Sequence, residues 1–334
     1  MRLLYINHLR GFAILLVILG HIYITKAPGN GHYAYADIIY SFHMSLFFFI
    51  SGFLAFRTNQ IKEKGKTQYI IKKTQTLLLP YLFWLFVSPV FMNNYIPTTI
   101  EEICDKLNFV PNLNYWFLPL LFIFNILYAV YISSAKFNKY LETEGGVKKE
   151  VLILTILFVG LFCTGLLIKQ YYFAVYSIYF ISFMFGHIVS KHKYIERFIL
   201  RNNIFAFSTI ILCFLWKVFP LNTDGNKWYS LLNLCYLTSA SSFAIISLYN
   251  IFYKINLHKY ISRYLSEIGK YTMALYLFPL WPFTKDFHWD DSYTNTLINL
   301  QALGIAIIHS LVALAIAKVI EIIPIVRTLL MGKK

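Results

Sequence analysis

The sequence predicts an all-α polytopic membrane protein of about ten transmembrane helices, with the N- and C-termini both cytoplasmic. Three observations carry that expectation. Hydrophobic residues make up 58% of the 334 positions and charged ones only 13%, where an ordinary soluble chain carries about 25% charged. Apolar runs recur from one end of the chain to the other, each near the ~20 residues that cross ~30 Å of hydrocarbon. Lysine and arginine concentrate in alternate connectors, and such an excess marks the cytoplasmic side.

Taken in order, the runs fall at 5–24, 37–56, 75–93, 113–134, 150–168, 172–190, 203–219, 229–252, 269–283 and 297–320. The first, YINHLRGFAILLVILGHIYI, is followed by KAPGNG with no convincing small-residue cleavage site, and is read as a retained helix. The ninth is short and contains Pro279 and Pro282, so a broken or tilted helix is expected there. The longest connector, 57–74, carries Arg57, Lys62, Lys64, Lys66, Lys72 and Lys73 and is assigned to the cytoplasm. Lys191, Lys193, Arg197, Arg201, Lys254, Lys259, Arg263 and the C-terminal MGKK fall on the same side. Most acidic residues, Asp37 among them, fall on the other. The loops 94–112 and 284–296 on that side are polar and aromatic, suited either to a hydrophilic acceptor or to service as solvated connectors. No internal repeat is visible. No soluble domain of ordinary size, roughly 100 residues or more, fits between the runs.

The net charge of +15 sits beside the membrane spans, which argues for topology and contact with membrane lipid and against nucleic acid. Cys104, Cys163, Cys213 and Cys235 are scattered, so neither a disulfide framework nor a metal site is expected.

Chemistry is sought on the first helix. Arg10 and His21 are eleven positions apart, about 1100° of helical rotation, which returns to within ~20° of the same face and ~16 Å along the axis. Charged and ionisable groups at membrane depth are costly, and they usually face a protein interior or a wet cavity. The second run, YSFHMSLFFFISGFLAF, adds His43 and Ser51. In an antiparallel neighbour His43 comes to the depth of His21, and Ser51 lies nearer the level of Arg10. His309, His187 and Lys217 are further polar residues in or near spans, read as packing, capping or snorkelling groups that can also line a cavity.

These residues carry a resemblance. HLRGFAILLVILGH is similar to the signature of the acyltransferase-3 family of integral membrane O-acyltransferases, a basic residue, ten positions, then His. FHMSLFFFISGFL resembles that family's FHMPLFFFLSGF helix. KKTQTLLLPYLFW, with Lys72, Lys73, Pro80 and Tyr81, and NYWFLPLLFIFN, with Trp116 and Phe117, resemble its third and fourth span entries. LSEIGKYTMALYLFPLW resembles its penultimate span. Ser45, Asn7 and Phe278 depart from the family pattern, where Pro, an acidic residue and His are common. The last departure weakens any role for a histidine at the end of span nine. The resemblance spans residues 1–334 as one transmembrane acyltransferase domain, without the soluble domain that some members append.

The resemblance implies an enzyme of the inner or plasma membrane. It would transfer an acyl group, most often acetyl, from acyl-CoA to a hydroxyl of a surface polysaccharide or its lipid-linked precursor. His21, Arg10, His43 and Ser51 are then the candidate catalytic residues. Arg10, Arg57, Lys72 and Lys73 would meet the phosphates of cytoplasmic acetyl-CoA. Trp116, Tyr115 and Asp37 are candidate contacts for the carbohydrate acceptor. A neutral His21 can take the acceptor's proton or carry the acyl group itself. The rival reading is a transporter or flippase for a glycan or lipid-linked sugar. Such proteins often show repeats and broken helices, and here only span nine is a candidate break.

Overall fold

In the computed structural model the described residues are 4–26, 34–93, 115–134, 146–167, 171–218, 227–278, 289 and 294–332. Pro279 and Pro282, where a break of span nine is expected, Cys104 and nearly all of the loops 94–112 and 284–296 lie outside them. Among the described residues all regular structure is helical.

The first apolar run folds as one unbroken helix, α1 (Leu4–Lys26), because it contains no proline and its polar residues are spaced widely among aliphatic ones. The second run is one span from Tyr35 to Arg57, but it is divided into α2 (Ala34–Tyr40) and α3 (His43–Arg57). The division has a local cause. The Ser41 hydroxyl donates to the Ile38 carbonyl at 2.6 Å, and His43 Nδ1 lies 2.8 Å from the Ile39 carbonyl. Side chains thus take carbonyls that the helix ladder would use, and the Phe42 amide turns back to Ile39 in a tightened turn.

The 57–74 connector is itself helical, forming α4 (Gln60–Lys64) and α5 (Lys66–Lys73). Gly65, with φ of 82°, separates them, a left-handed backbone that glycine adopts without strain. One π turn, Thr74–Leu78, follows before α6 (Leu79–Asn93). Pro80 has no amide hydrogen to give the Thr76 carbonyl, which accounts for the loosened ladder there. The chain continues through α7 (Phe117–Ser133), α8 (Gly146–Leu167), α9 (Tyr171–Lys191), α10 (Lys193–Ile199) and α11 (Asn202–Val218). It closes with α12 (Lys227–Lys254), α13 (Lys259–Lys270), α14 (Thr272–Leu277), α15 (Asn295–Ile320) and α16 (Pro324–Met331).

By length and composition four helices among the described residues can cross a membrane: Leu4–Thr25, Tyr35–Arg57, Leu232–Lys254 and Asn295–Ile320. A fifth crossing is possible if α10 and α11, bent by 62°, act as one span. Large aliphatic and aromatic side chains stand exposed on such helices, including Phe207, Ile210 and Phe214 on α11 and Leu300 and Ile308 on α15. Lipid tails are the natural cover for that surface. This is an integral membrane protein built of helices.

The chain forms two compact units. One comprises Met1–Leu54 and Ala174–Ala315. Its centre is α1, which packs on α2, α12, α13 and α14. Backbones touch where α1 meets α13: a Cβ on Gly11 would stand 2.2 Å from the Leu265 carbonyl oxygen, and one on Gly269 2.1 Å from that of Asn7. Such small-residue contacts are how membrane helices approach closely. Buried polar pairs lock the same unit. Tyr249 on α12 donates to the buried Glu196 of α10 at 2.7 Å, and Tyr23 of α1 donates to Asn299 of α15 at 2.9 Å. The other unit comprises Ala55–Phe173 and Ile316–Lys334. There α5 packs on α7, and α6 on α16. The buried Tyr69 of α5 donates to Asn125 of α7, and Trp84 of α6 donates to the Leu330 carbonyl of α16.

Candidate active site

The tightened turn between α2 and α3 places Tyr40, Ser41 and His43 beside the end of α1. Tyr40 is the common neighbour of both histidines. Its hydroxyl lies 3.4 Å from His21 Nδ1, and its ring meets the His43 ring edge-on with centroids 4.7 Å apart. The His21 and Tyr40 rings are also edge-on, at 6.4 Å. His43 is buried, and because its Nδ1 faces a carbonyl oxygen, Nδ1 must be the donor. Its neutral ring therefore keeps a lone pair on Nε2. His21 stands near the end of α1 with its side chain at the protein surface, beside Tyr40.

Ser41 gathers further groups at this turn. Its oxygen accepts the Trp216 indole N–H at 3.2 Å, and the Tyr236 hydroxyl bonds to it as well. Asp37, one turn earlier on α2, is half-buried. Ser51 stands two turns along α3 and is half-buried next to Gly52, whose backbone abuts that of Phe183 on α9. The polar cluster is therefore centred on the helix break, and Ser51 lies away from it along α3.

Arg10 lies on the same unbroken helix as His21, so their backbone positions keep the eleven-residue spacing. Arg10 is half-buried, and its Nη2 donates to Thr272 Oγ1 at 2.9 Å. Thr272 opens α14 directly after Tyr271 interrupts the helix, so the break between α13 and α14 aims this hydroxyl at the guanidinium. Near the start of α1, His8 Nε2 is 2.9 Å from the Ser262 hydroxyl of α13.

The remaining candidates belong to the second unit. Arg57 and Lys72 are exposed; Lys73 is half-buried with its ammonium 5.2 Å from the centroid of the Tyr69 ring. Burial pushes the Tyr69 phenol upward, so it stays a hydroxyl donor beneath that cation. Lys62, Lys64 and Lys66 are exposed as well, giving α4 and α5 a basic face. Tyr115 is buried and holds φ of 68°, a left-handed backbone unusual for a bulky residue; its ring centroid is 6.4 Å from that of Trp84. Trp116, half-buried, is the N-cap residue just before α7. In the first unit, His187 and His309 are both buried, so neither is at a lipid-facing surface. Among the described residues no group of three His, Cys, Asp or Glu side chains converges as metal ligands.

Tyr40, Ser41, Trp216 and Thr272 are site residues that the sequence alone did not single out. Tyr40 precedes His43 by three positions, one helical turn, and that spacing was its only signal.

A helical membrane protein with a polar cluster at a broken span defines a class, that of proteins doing chemistry or transport within the bilayer. Comparison with known families narrows the class. Residues 3–317 match the acyltransferase-3 family, described as an acyltransferase domain. The chain belongs to that family, and membrane acyl transfer is the activity that membership supports. Among curated proteins it is similar to the nodulation protein NolL of Mesorhizobium japonicum, 27% identical over 178 residues. That alignment covers 48% of this chain and 46% of the relative, so the chain spans about half of the curated relative it matches. No solved structure matches it.

Proposed function

We propose that the protein is an O-acyltransferase moving an acyl group, acetyl first among candidates, from cytoplasmic acyl-CoA to a hydroxyl of a surface glycan or its lipid-linked precursor. The observation that carries this reading is His21 standing beside Tyr40, which also meets His43, on the same helix as Arg10. His21 takes the proton of the acceptor hydroxyl as that oxygen bonds to the thioester carbonyl carbon. The C–S bond then breaks, and the thiolate leaves with the proton returned by the imidazolium. Ser51 is proposed to donate its hydroxyl hydrogen to the oxygen on which charge develops, and His43 joins it only when a proton occupies Nε2, since Nδ1 is committed to the Ile39 carbonyl.

The donor's phosphates suit the residues present. Arg10 offers a planar fork for bidentate contact, and Arg57, Lys72 and Lys73 belong to a basic helical connector. Trp116, Tyr115 and Asp37 are the proposed acceptor contacts. Ten crossings, cytoplasmic termini and a single acyltransferase domain in an inner or plasma membrane complete the proposal. The alternation of basic connectors along the sequence is what supports this topology.

The test is His21→Ala, with mass spectrometry of surface polysaccharide and a check of membrane protein level. Loss of one acyl unit per repeat at normal protein level is expected. Unchanged acylation removes His21 from the chemistry. Acetyl-CoA should also raise the thermal midpoint of the purified protein by mass action, about 2.7 kcal/mol of stabilisation at a hundredfold excess over Kd. A flat response would favour a transporter.

A further inference from the structure

Gly20 and Tyr40 fit together in a way that packing alone does not require. A Cβ on Gly20 would stand 2.9 Å from Tyr40 Cε2 and 3.3 Å from Ile39 Cγ2. The missing side chain is what lets the Tyr40 ring lie against α1, one residue before His21. The ring also meets His43, edge-on at 4.7 Å. His43 is in turn anchored through Nδ1 to the Ile39 carbonyl at 2.8 Å. The phenol oxygen is thus delivered to His21 Nδ1 by a ring held at two contacts.

We propose that Tyr40 is the positioning residue of His21, and that its oxygen accepts the Nδ1 proton so that Nε2 keeps the lone pair. This deepens the acyltransferase reading and rests on His21 acting as the base. A neutral imidazole has one N–H and one lone pair, and the partner on one nitrogen determines which task falls to the other. With Nδ1–H directed to Tyr40, Nε2 is the nitrogen left to take the proton of the acceptor hydroxyl. The opposite arrangement, with Tyr40 donating, would place the proton on Nε2 and leave His21 unable to act as a base through that atom. The 3.4 Å separation is long for such a bond; catalytic hydrogen bonds in unliganded enzymes commonly tighten when substrate binds.

Tyr40→Phe keeps the ring against Gly20 and His43 and removes only the oxygen. It should lower kcat at least about tenfold, with KM for donor and acceptor unchanged and an unaltered thermal midpoint. Imidazole nitrogen NMR of selectively labelled protein, with the His21 signal assigned by its loss in His21→Asn, should show a protonated Nδ1 in the parent and a mixture of tautomers in Tyr40→Phe. Gly20→Ala, which displaces the ring without touching the chemistry, should reproduce a part of the kcat loss. If His21→Ala is inactive while Tyr40→Phe keeps full kcat and an unchanged tautomer signal, the positioning role is overturned and the base survives. If His21→Ala is active, the base itself falls, and the Tyr40 proposal falls with it.

Discussion

Arg10 donates through Nη2 to the Thr272 hydroxyl, a contact that orients its guanidinium. Arg10→Lys keeps the charge and loses the planar fork, so activity should fall at least about tenfold while protein level stays normal. A purified-protein turnover assay checks this. Thr272→Val removes the orienting acceptor alone, and a rise in donor KM larger than any fall in kcat is the expected pattern. Equal effects on both variants' kcat would instead place Arg10 at the reacting carbonyl. At this scale the sequence revealed the histidines and the arginine, because ionisable groups in apolar runs are conspicuous. Tyr40, Thr272 and Trp216 were hidden, because aromatic and hydroxyl residues are common in any membrane chain and only their neighbours give them meaning.

Helices came through unevenly. Long apolar runs such as α1 and α15 were legible, since a window of hydropathy registers length and apolarity together. The short helices α4, α5, α10 and α13 were not drawn, because each carries lysine or arginine on one face and is too short for that window. α13 nevertheless packs on α1 with backbones in contact at Gly11 and Gly269. Gly269→Ala should therefore lower the thermal midpoint in detergent, by about 1–3 kcal/mol of stability, because the new methyl meets backbone that cannot rotate away. Gly160→Ala on α8 is the matched control. Nothing lies within 4 Å of its added Cβ, so the midpoint should stay or rise slightly through better helix propensity. The break at Ser41 and Phe42 was also illegible in advance, since it depends on two side chains finding the Ile38 and Ile39 carbonyls.

For the whole molecule, the division into two units distributes the proposed tasks. Arg10, His21, His43, Ser51 and Asp37 belong to the first, and Arg57, Lys72, Lys73, Tyr115 and Trp116 to the second. If the basic connector recognises donor phosphates, Lys72→Glu combined with Lys73→Glu should raise the KM for acyl-CoA several-fold with kcat little changed. Raising ionic strength should narrow the difference, because exposed charges act through a screening length of about 8 Å at physiological salt. Salt-independent kinetics would assign those lysines to the membrane surface instead.

Composition and the spacing of apolar runs by themselves determined that this chain is a helical membrane protein. Its first two motifs pointed to the family, because burial in lipid and helical periodicity leave their mark on linear order. Only the tertiary structure decided which groups meet. The turn at Ser41 sets Tyr40 between His21 and His43, and the glycine contacts bring Thr272 to Arg10 across more than two hundred residues of chain. Those meetings depend on close packing and on which carbonyl each side chain finds, and neither quantity is periodic in the sequence.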